Sequence, residues 1–127
     1  MTTMNNIRKL GIWMDHSNAY LMELANDIIV QRVVSELANH ETEFNFYKGE
    51  KLIHKKEQHL QLSYYKKIGD IIKKYQDVVL FGPTDAKNEL LNQIKNDHLF
   101  EGIKIEVKNS DKMTEVQMQL FVTDYFK

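Results

Sequence analysis

Two short, uninterrupted apolar segments constrain the fold of this chain more than any other feature. Residues 10–14 are Leu-Gly-Ile-Trp-Met, and residues 78–81 are Val-Val-Leu-Phe. A strand with one face in water alternates apolar and polar residues, whereas a strand covered on both faces is apolar throughout. Both segments have the length of a strand and are too short for a typical helix. They predict two buried strands, the first of them central, in a sheet that is covered on both sides.

The other strands are predicted from shorter patterns. Residues 19–24 and the β-branched residues 28–35 follow the first strand through short polar connections, which predicts an antiparallel three-stranded meander. In residues 103–107 isoleucine and valine alternate with Lys104 and Glu106, so this strand is expected to be half exposed and to lie at an edge.

Helices are predicted where apolar residues recur every three or four positions. They are expected over about 57–75, from Thr84 or Asp85 to about 96, and over 113–126. The last begins with Thr114 and Gln117, which fit a capping box, and the polar residues 36–56 are expected to form a long loop. The order β-β-β-loop-α-β-α-β-α predicts an α/β fold in which a mixed five-stranded sheet carries helices on its faces.

Composition narrows the class of protein. The chain has 127 residues, of which 43% are apolar or aromatic, and we expect residues 1–127 to form one domain. It has no cysteine, which excludes disulfides and thiolate chemistry and favours a reducing, cytoplasmic location. The apolar run after Arg8 and Lys9 ends at Asp15, too early for a signal peptide or a membrane span, so no membrane partner is expected.

The net charge of −1 conceals a basic block, because residues 48–74 carry eight lysines and three acidic groups. Such a block indicates either a surface for nucleic acid or a solvated helix face. The candidate RNA contacts are Lys55, Lys56, Lys66, Lys67, Lys73 and Lys74, together with Tyr65, whose position predicts a surface ring able to stack on a base. Because the chain as a whole is not basic, a larger partner would have to supply further contacts.

A second candidate anion site lies where the strand at 78–81 runs into a helix through Gly-Pro-Thr-Asp-Ala-Lys, residues 82–87. The first backbone N–H groups of a helix lack internal partners and favour a phosphate. Gly82, Thr84 and Lys87 are therefore predicted to contact an RNA phosphate or a free anion. The alternative is that Gly82 only permits a tight turn and Lys87 is solvated.

Three of these segments resemble the middle domain of the eukaryotic and archaeal class 1 peptide-chain release factors and their compact relatives. They are Gly-Ile-Trp-Met-Asp at 11–15, Tyr-Tyr-Lys-Lys-Ile-Gly at 64–69, and Phe-Gly-Pro-Thr-Asp-Ala-Lys at 81–87. The resemblance implies a ribonuclease H-like fold and a loop before the first helix that carries a hydrolytic Gly-Gly-Gln. Residues 36–56 contain no Gly-Gly-Gln, which argues against that activity here.

Candidate catalytic and metal-binding residues are few. Asp15, at the end of the first strand, resembles the first metal-binding carboxylate of ribonuclease H-type nucleases, but such sites assemble several carboxylates. The simpler interpretation is that Asp15 caps its own turn. The five histidines show no metal-ligand spacing. We therefore expect no metal and no cofactor.

Three functions follow as hypotheses. The first is a non-enzymatic, translation-associated module that binds the ribosome or structured RNA through the lysine-rich helix and the turn at 82–87. The second is a hydrolase of a phosphoester or a peptidyl-tRNA ester, centred near Asp15 and Lys87. The third is a homo-oligomeric adaptor that uses the edge strand at 103–107 and the terminal helix.

Overall fold

The computed structural model describes residues 7–36 and 50–127, the latter with side chains from residue 55 onward. The elements are β1 (Lys9–Met14), β2 (Asn18–Leu24), β3 (Ile28–Val34), α1 (Glu50–Ile72), β4 (Asp77–Gly82), α2 (Ala86–Ile94), a short 3-10 helix (His98–Phe100), β5 (Lys104–Asn109) and α3 (Glu115–Tyr125). None of the helices in these ranges is long and apolar enough to cross a membrane.

The strands form one mixed sheet in the order β3-β2-β1-β4-β5. The pairs β1–β2 and β2–β3 are antiparallel, and the pairs β1–β4 and β4–β5 are parallel. Two short turns make the first three strands a meander, whereas the later strands are connected through helices and therefore run parallel. This confirms the predicted α/β class with a five-stranded sheet of the ribonuclease H-like kind, and it places β5 at an edge.

The two faces of the sheet are covered by different helices, which explains the continuous apolar runs. From β1, Leu10, Ile12 and Met14 enter the core beneath α1 and α2, whereas Trp13 enters the core beneath α3. In the neighbouring strand β4, Val78 and Leu80 face α1 and α2, and Val79 and Phe81 face α3. Residues 10–14 and 78–81 are thus free of polar side chains because successive positions meet different helices.

The capping box at the start of α3 is confirmed. The Gln117 backbone N–H donates to Thr114 Oγ1 at 3.2 Å, and the Thr114 backbone N–H donates to Gln117 Oε1 at 3.0 Å. The two bonds satisfy donors that the helix itself leaves free. The residue pattern therefore fixes where the last helix begins.

The first helix differs from its prediction at both ends. It begins at Glu50 and ends at Ile72, so residues 50–56, predicted to belong to the loop, are helical. Their composition is polar and lacks the apolar periodicity on which the prediction depended. Residues 37–49 of the predicted loop lie outside the described residues.

Candidate nucleic-acid interface

Six lysines of the basic block lie on one face of α1 and its C-terminal extension. Lys55, Lys56, Lys66, Lys67, Lys73 and Lys74, here called the lysine face, are all exposed. At about 100° per residue, positions 55, 66 and 73 fall within about 20° of one line along the helix. Positions 56, 67 and 74 follow a second line about 100° away. The lysines therefore form two parallel rows about 27 Å long, opposite the side that packs on the sheet.

The lysine face is partly neutralised by its own carboxylates. Asp70 contacts Lys66 Nζ at 3.1 Å and Lys73 Nζ at 3.3 Å, and Glu36 contacts Lys67 Nζ at 3.6 Å. Hydrogen bonds from Lys66 and then from Lys73 hold the pKa of Asp70 below its ordinary value. All of these partners are exposed to water, so the pairs stabilise the fold little and can be exchanged for a phosphate.

The remaining lysines of the face are more available. For Lys55, Lys56 and Lys74, no carboxylate among the described residues lies within ion-pair distance. The N-terminal end of the lysine face is consequently less neutralised than the part from Lys66 to Lys73, where Asp70 lies. An anionic ligand following the helix would meet unpaired ammonium groups first.

The turn at 82–87 is built around a close backbone contact. Gly82, the last residue of β4, has φ +150°, and a Cβ there would lie 2.1 Å from the Met14 carbonyl oxygen. Only glycine fits both the conformation and the space. Asp85 precedes α2 without a side-chain cap, while Thr84 Oγ1 accepts the Ala86 N–H at 3.2 Å. Of the two residues at which the helix was predicted to start, Thr84 therefore supplies the side-chain bond to its first turn.

Lys87 does not lie in solvent, so the alternative in which Lys87 is solvated is wrong. Its side chain is 2% exposed, and Nζ donates to the Thr84 carbonyl oxygen. The cause is packing, since Ala86 and Leu90 on either side belong to the core beneath α1 and α2. The buried ammonium group is bonded to the backbone of the turn, so an anion would reach it only after the side chain moved.

Asp15 holds the turn between β1 and β2. Its Oδ1 accepts the backbone N–H groups of Ser17 at 2.8 Å and Asn18 at 2.7 Å. Its carbonyl oxygen accepts the Tyr64 hydroxyl at 2.9 Å. This is the turn-capping role that the sequence favoured over a metal ligand. Within the described part of the chain, no group of three or more histidine or acidic side chains is placed to hold a metal ion.

The prediction that Tyr65 lies on the surface is wrong. The side chain is 3% exposed, and its hydroxyl donates to Glu89 Oε1 at 2.6 Å. Burial, followed by the hydrogen bond to Glu89, raises its pKa well above the ordinary value. Position 65 turns toward α2 rather than toward water, so the ring cannot serve as an open stacking platform.

Beside the lysine face, α1 and α2 enclose a groove that the sequence analysis missed. Its volume is about 550 Å³, and it is lined by Gln58, Gln61, Leu62, Tyr65, Glu89, Asn92 and Gln93. A smaller recess of about 120 Å³ adjoins it through Gln93 and is lined on its α1 side by Lys66, Gly69, Asp70 and Lys73. We call the two together the inter-helix groove. Spacings of three and four residues at 58, 61, 62 and 65 are the pattern by which this face of α1 could have been recognised.

The fold is similar to that of solved archaeal proteins of about three times this length. The Pelota protein of Thermoplasma acidophilum matches with a TM-score of 0.60 at 15% identity, over 92% of this chain and 32% of its own. Pelota of Archaeoglobus fulgidus gives 0.60 at 9% identity, over 93% and 31%. The archaeal translation termination factor aRF1 gives 0.52 at 15%, over 94% and 39%.

These matches establish a release-factor-like fold for this chain, which spans about a third of the length of the proteins it resembles. No protein-family model matches the sequence, and no curated protein matches it significantly. The fold alone does not fix a function, so the function is argued from the site.

Proposed function

We propose that this chain is a non-enzymatic, translation-associated module that binds ribosomal or other structured RNA through the lysine face. The observation that carries the proposal is the arrangement of six exposed lysines in two rows along one helix. Neutralising phosphates with ammonium groups releases condensed counterions, and this supplies sequence-independent affinity. The likeness in fold to a translation termination factor supports a role in translation.

The start of α2 is a second contact in this proposal. Gly82 and Thr84 lie at a helix start, where backbone N–H groups favour an anion. Lys87 would add its charge only after its ammonium group left the Thr84 carbonyl oxygen. The lysine face therefore provides most of the affinity, and the turn provides a local contact.

The absence of Gly-Gly-Gln from the sequence supports a binding role rather than peptidyl-tRNA hydrolysis. Binding to RNA does not require the whole chain to be basic if the ribosome supplies additional contacts. The expected property is then moderate, salt-dependent affinity for rRNA or ribosomes, without turnover.

Charge reversal tests the proposal directly. Lys66→Glu/Lys67→Glu should weaken cosedimentation with ribosomes and binding to structured RNA by about tenfold or more at low salt, and should flatten the salt dependence. The matched control is Lys104→Glu/Lys112→Glu, which changes the net charge equally at exposed sites away from α1. Equal losses in both variants, or no loss in the first, would contradict a specific role of the lysine face.

Self-association is a second candidate, and a different edge strand favours it. The predicted edge, β5, carries Lys104, Glu106 and Lys108, and such charges oppose pairing. At the other edge, β3 exposes Ile29 by 59% and has one charged residue in seven, Arg32. Antiparallel pairing of β3 with a second copy about Gln31 would set Arg32 opposite a valine, so like charges would not face each other.

The dimer hypothesis is tested by mass measurement in solution over a range of concentrations. Val30→Lys in β3 should abolish any dimer, whereas Leu99→Lys, at an exposed leucine in the 3-10 helix, should leave it unchanged. A monomer at every concentration in the unmodified protein would exclude this candidate.

A further inference from the structure

We propose that the inter-helix groove binds one unstacked base of single-stranded RNA while the adjoining phosphates lie against Lys66 and Lys73. The inference rests on the proposed RNA binding and adds a base-recognition site to it. Sequence-selective RNA recognition generally reads bases that are not stacked in a helix. The groove is the place on this surface where such a base finds both a cavity and polar partners.

The larger part of the groove has the size and chemistry for a flat heteroaromatic ring. Its volume of about 550 Å³ is in the usual range for small-ligand sites. Leu62, which is 55% exposed although apolar, supplies an uncovered apolar wall. Around it stand the amides of Gln58, Gln61, Asn92 and Gln93. Amide side chains both donate and accept hydrogen bonds, as the edge of a base requires.

The charges divide the groove into two functional parts. Among the residues that line the larger part, Glu89 is the one acidic residue and none is a lysine or an arginine, so a phosphate is disfavoured there. The smaller recess is lined by Lys66 and Lys73 but also by Asp70 and Asp97, and it shares Gln93 with the larger part. Asp70 pairs with both lysines at exposed positions, so a phosphate reaches their ammonium groups by replacing that carboxylate. A nucleotide can therefore place its base against the amides and direct its phosphate toward the lysines. This connects the groove with the lysine face.

Glu89 determines which bases fit. Its carboxylate accepts the Tyr65 hydroxyl at 2.6 Å and contacts His16 Nε2 at 3.2 Å. These contacts fix its orientation, yet its side chain remains 48% exposed. A carboxylate accepts hydrogen bonds from the exocyclic amino group of cytosine or adenine, whereas it faces a carbonyl oxygen at the same position of uracil. The groove should therefore prefer bases that carry an amino group.

The preference is measured by fluorescence anisotropy with labelled twelve-nucleotide oligomers of cytidine, adenosine or uridine. We expect the cytidine and adenosine oligomers to bind about tenfold more tightly than the uridine oligomer. Glu89→Gln should reduce that ratio toward one, and Asn92→Ala/Gln93→Ala should weaken the cytidine and adenosine oligomers most. Asn96→Ala, at an exposed amide on the same segment outside the groove, is the matched control and should have no effect.

A second readout separates the groove from the lysine face. Groove variants should lower affinity without changing its salt dependence, whereas Lys66→Glu/Lys67→Glu should flatten that dependence. A 2-aminopurine placed in the oligomer reports burial of the base by a change in fluorescence that Leu62→Ala should reduce.

The outcomes distinguish the two proposals. If all three oligomers bind equally and the groove variants match the unmodified protein, the groove proposal is overturned while binding through the lysine face stands. If the unmodified protein binds neither oligomers nor ribosomes at low salt, both proposals are overturned. If groove variants change base preference with an unaltered salt dependence, the base site is established.

Discussion

Gly11 of β1 lies directly beneath Val122 of α3, so closely that a Cβ on Gly11 would fall 2.2 Å from Val122 Cγ2. Val122 is fully buried and packs with Met118 on the α3 side of the sheet. The absence of a side chain at position 11 sets how near α3 approaches the central strand. This contact therefore fixes the position of the only described helix on that face.

The contact predicts a coupled pair of substitutions. Gly11→Ala should lower the free energy of unfolding by about 1–3 kcal/mol, because the added methyl group overpacks the contact. Val122→Ala removes the two methyl groups that would clash and should itself be destabilising. Urea denaturation should show that the double variant loses less stability than the sum of the single losses. If the two losses of stability were additive, α3 would move away from β1 in the Gly11→Ala variant, and Val122 would not clash with the added methyl group.

A second prediction compares two glycines with positive φ. Gly82→Ala combines strain at φ +150° with a Cβ 2.1 Å from the Met14 carbonyl oxygen, whereas Gly102→Ala at φ +85° meets no atom within 4 Å. Gly102→Ala should cost about 1–2 kcal/mol from strain alone. Gly82→Ala should cost clearly more, because backbone must also move. Thermal or urea denaturation of the two variants measures the difference, and equal losses would refute the close contact at Gly82.

Removing the carboxylate that lies between Lys66 and Lys73 should increase RNA affinity. Asp70 pairs with both Lys66 and Lys73, so Asp70→Asn frees two ammonium groups. We expect affinity for structured RNA to rise about threefold at low salt and the gain to vanish at high salt. The matched control is Asp124→Asn, at an exposed carboxylate of α3 that pairs with Lys127. A similar gain in the control would indicate that net charge, rather than position, governs binding.

Alkaline pH should destabilise the fold partly through Tyr125. Burial, followed by a hydrogen bond to Glu106, raises the pKa of Tyr125 to about 12 from 10.0. Below pH 10 the hydroxyl is protonated in both the folded and the unfolded chain. Between about pH 10 and 12 the unfolded chain loses this proton first, so stability falls as the pH rises.

Tyr125→Phe removes that titration. The slope of unfolding free energy against pH should become shallower between pH 10 and 12 in the variant. It should not vanish, because the pKa values of Tyr64, Tyr65 and Tyr75 are also raised and these residues still contribute to the pH dependence. Denaturation at several pH values measures the slope. Identical slopes in the two proteins would show that Tyr125 titrates alike in both states.

Most of the fold could be predicted from residue patterns that show which faces of a strand or helix are buried and where it begins. The strand at 10–14 was predictable because every position is apolar, and Thr114 with Gln117 fixed the start of α3 because a capping box needs only local residues. The start of α1 was not predictable in this way. Residues 50–56 carry no apolar periodicity, so nothing in them distinguishes a solvated helix from a loop.

The candidate site was predictable only in part, for a physical reason. The lysine rows follow from the helical repeat of α1 alone. The positions of Tyr65 and Lys87, by contrast, depend on how α1 and α2 pack together, because that contact widens the buried arc of each helix. A lysine is expected in solvent by default, and the pattern around Lys87 does not reveal that the Thr84 carbonyl oxygen would accept a hydrogen bond from its ammonium group. The inter-helix groove could not be predicted either, because it forms between two helices and the residue pattern of one helix does not show how the other packs against it.

The two rows of lysines also make chain length in α1 as consequential as residue type. One residue added between Lys56 and Lys66 would rotate everything before it by about 100° relative to the rest of the helix. Lys55 would then leave the face and Lys56 would move onto the row of Lys66 and Lys73, although no charge had been altered. Insertions of seven or eleven residues, which restore the angular phase to within about 20°, should be tolerated far better than insertions of one or two.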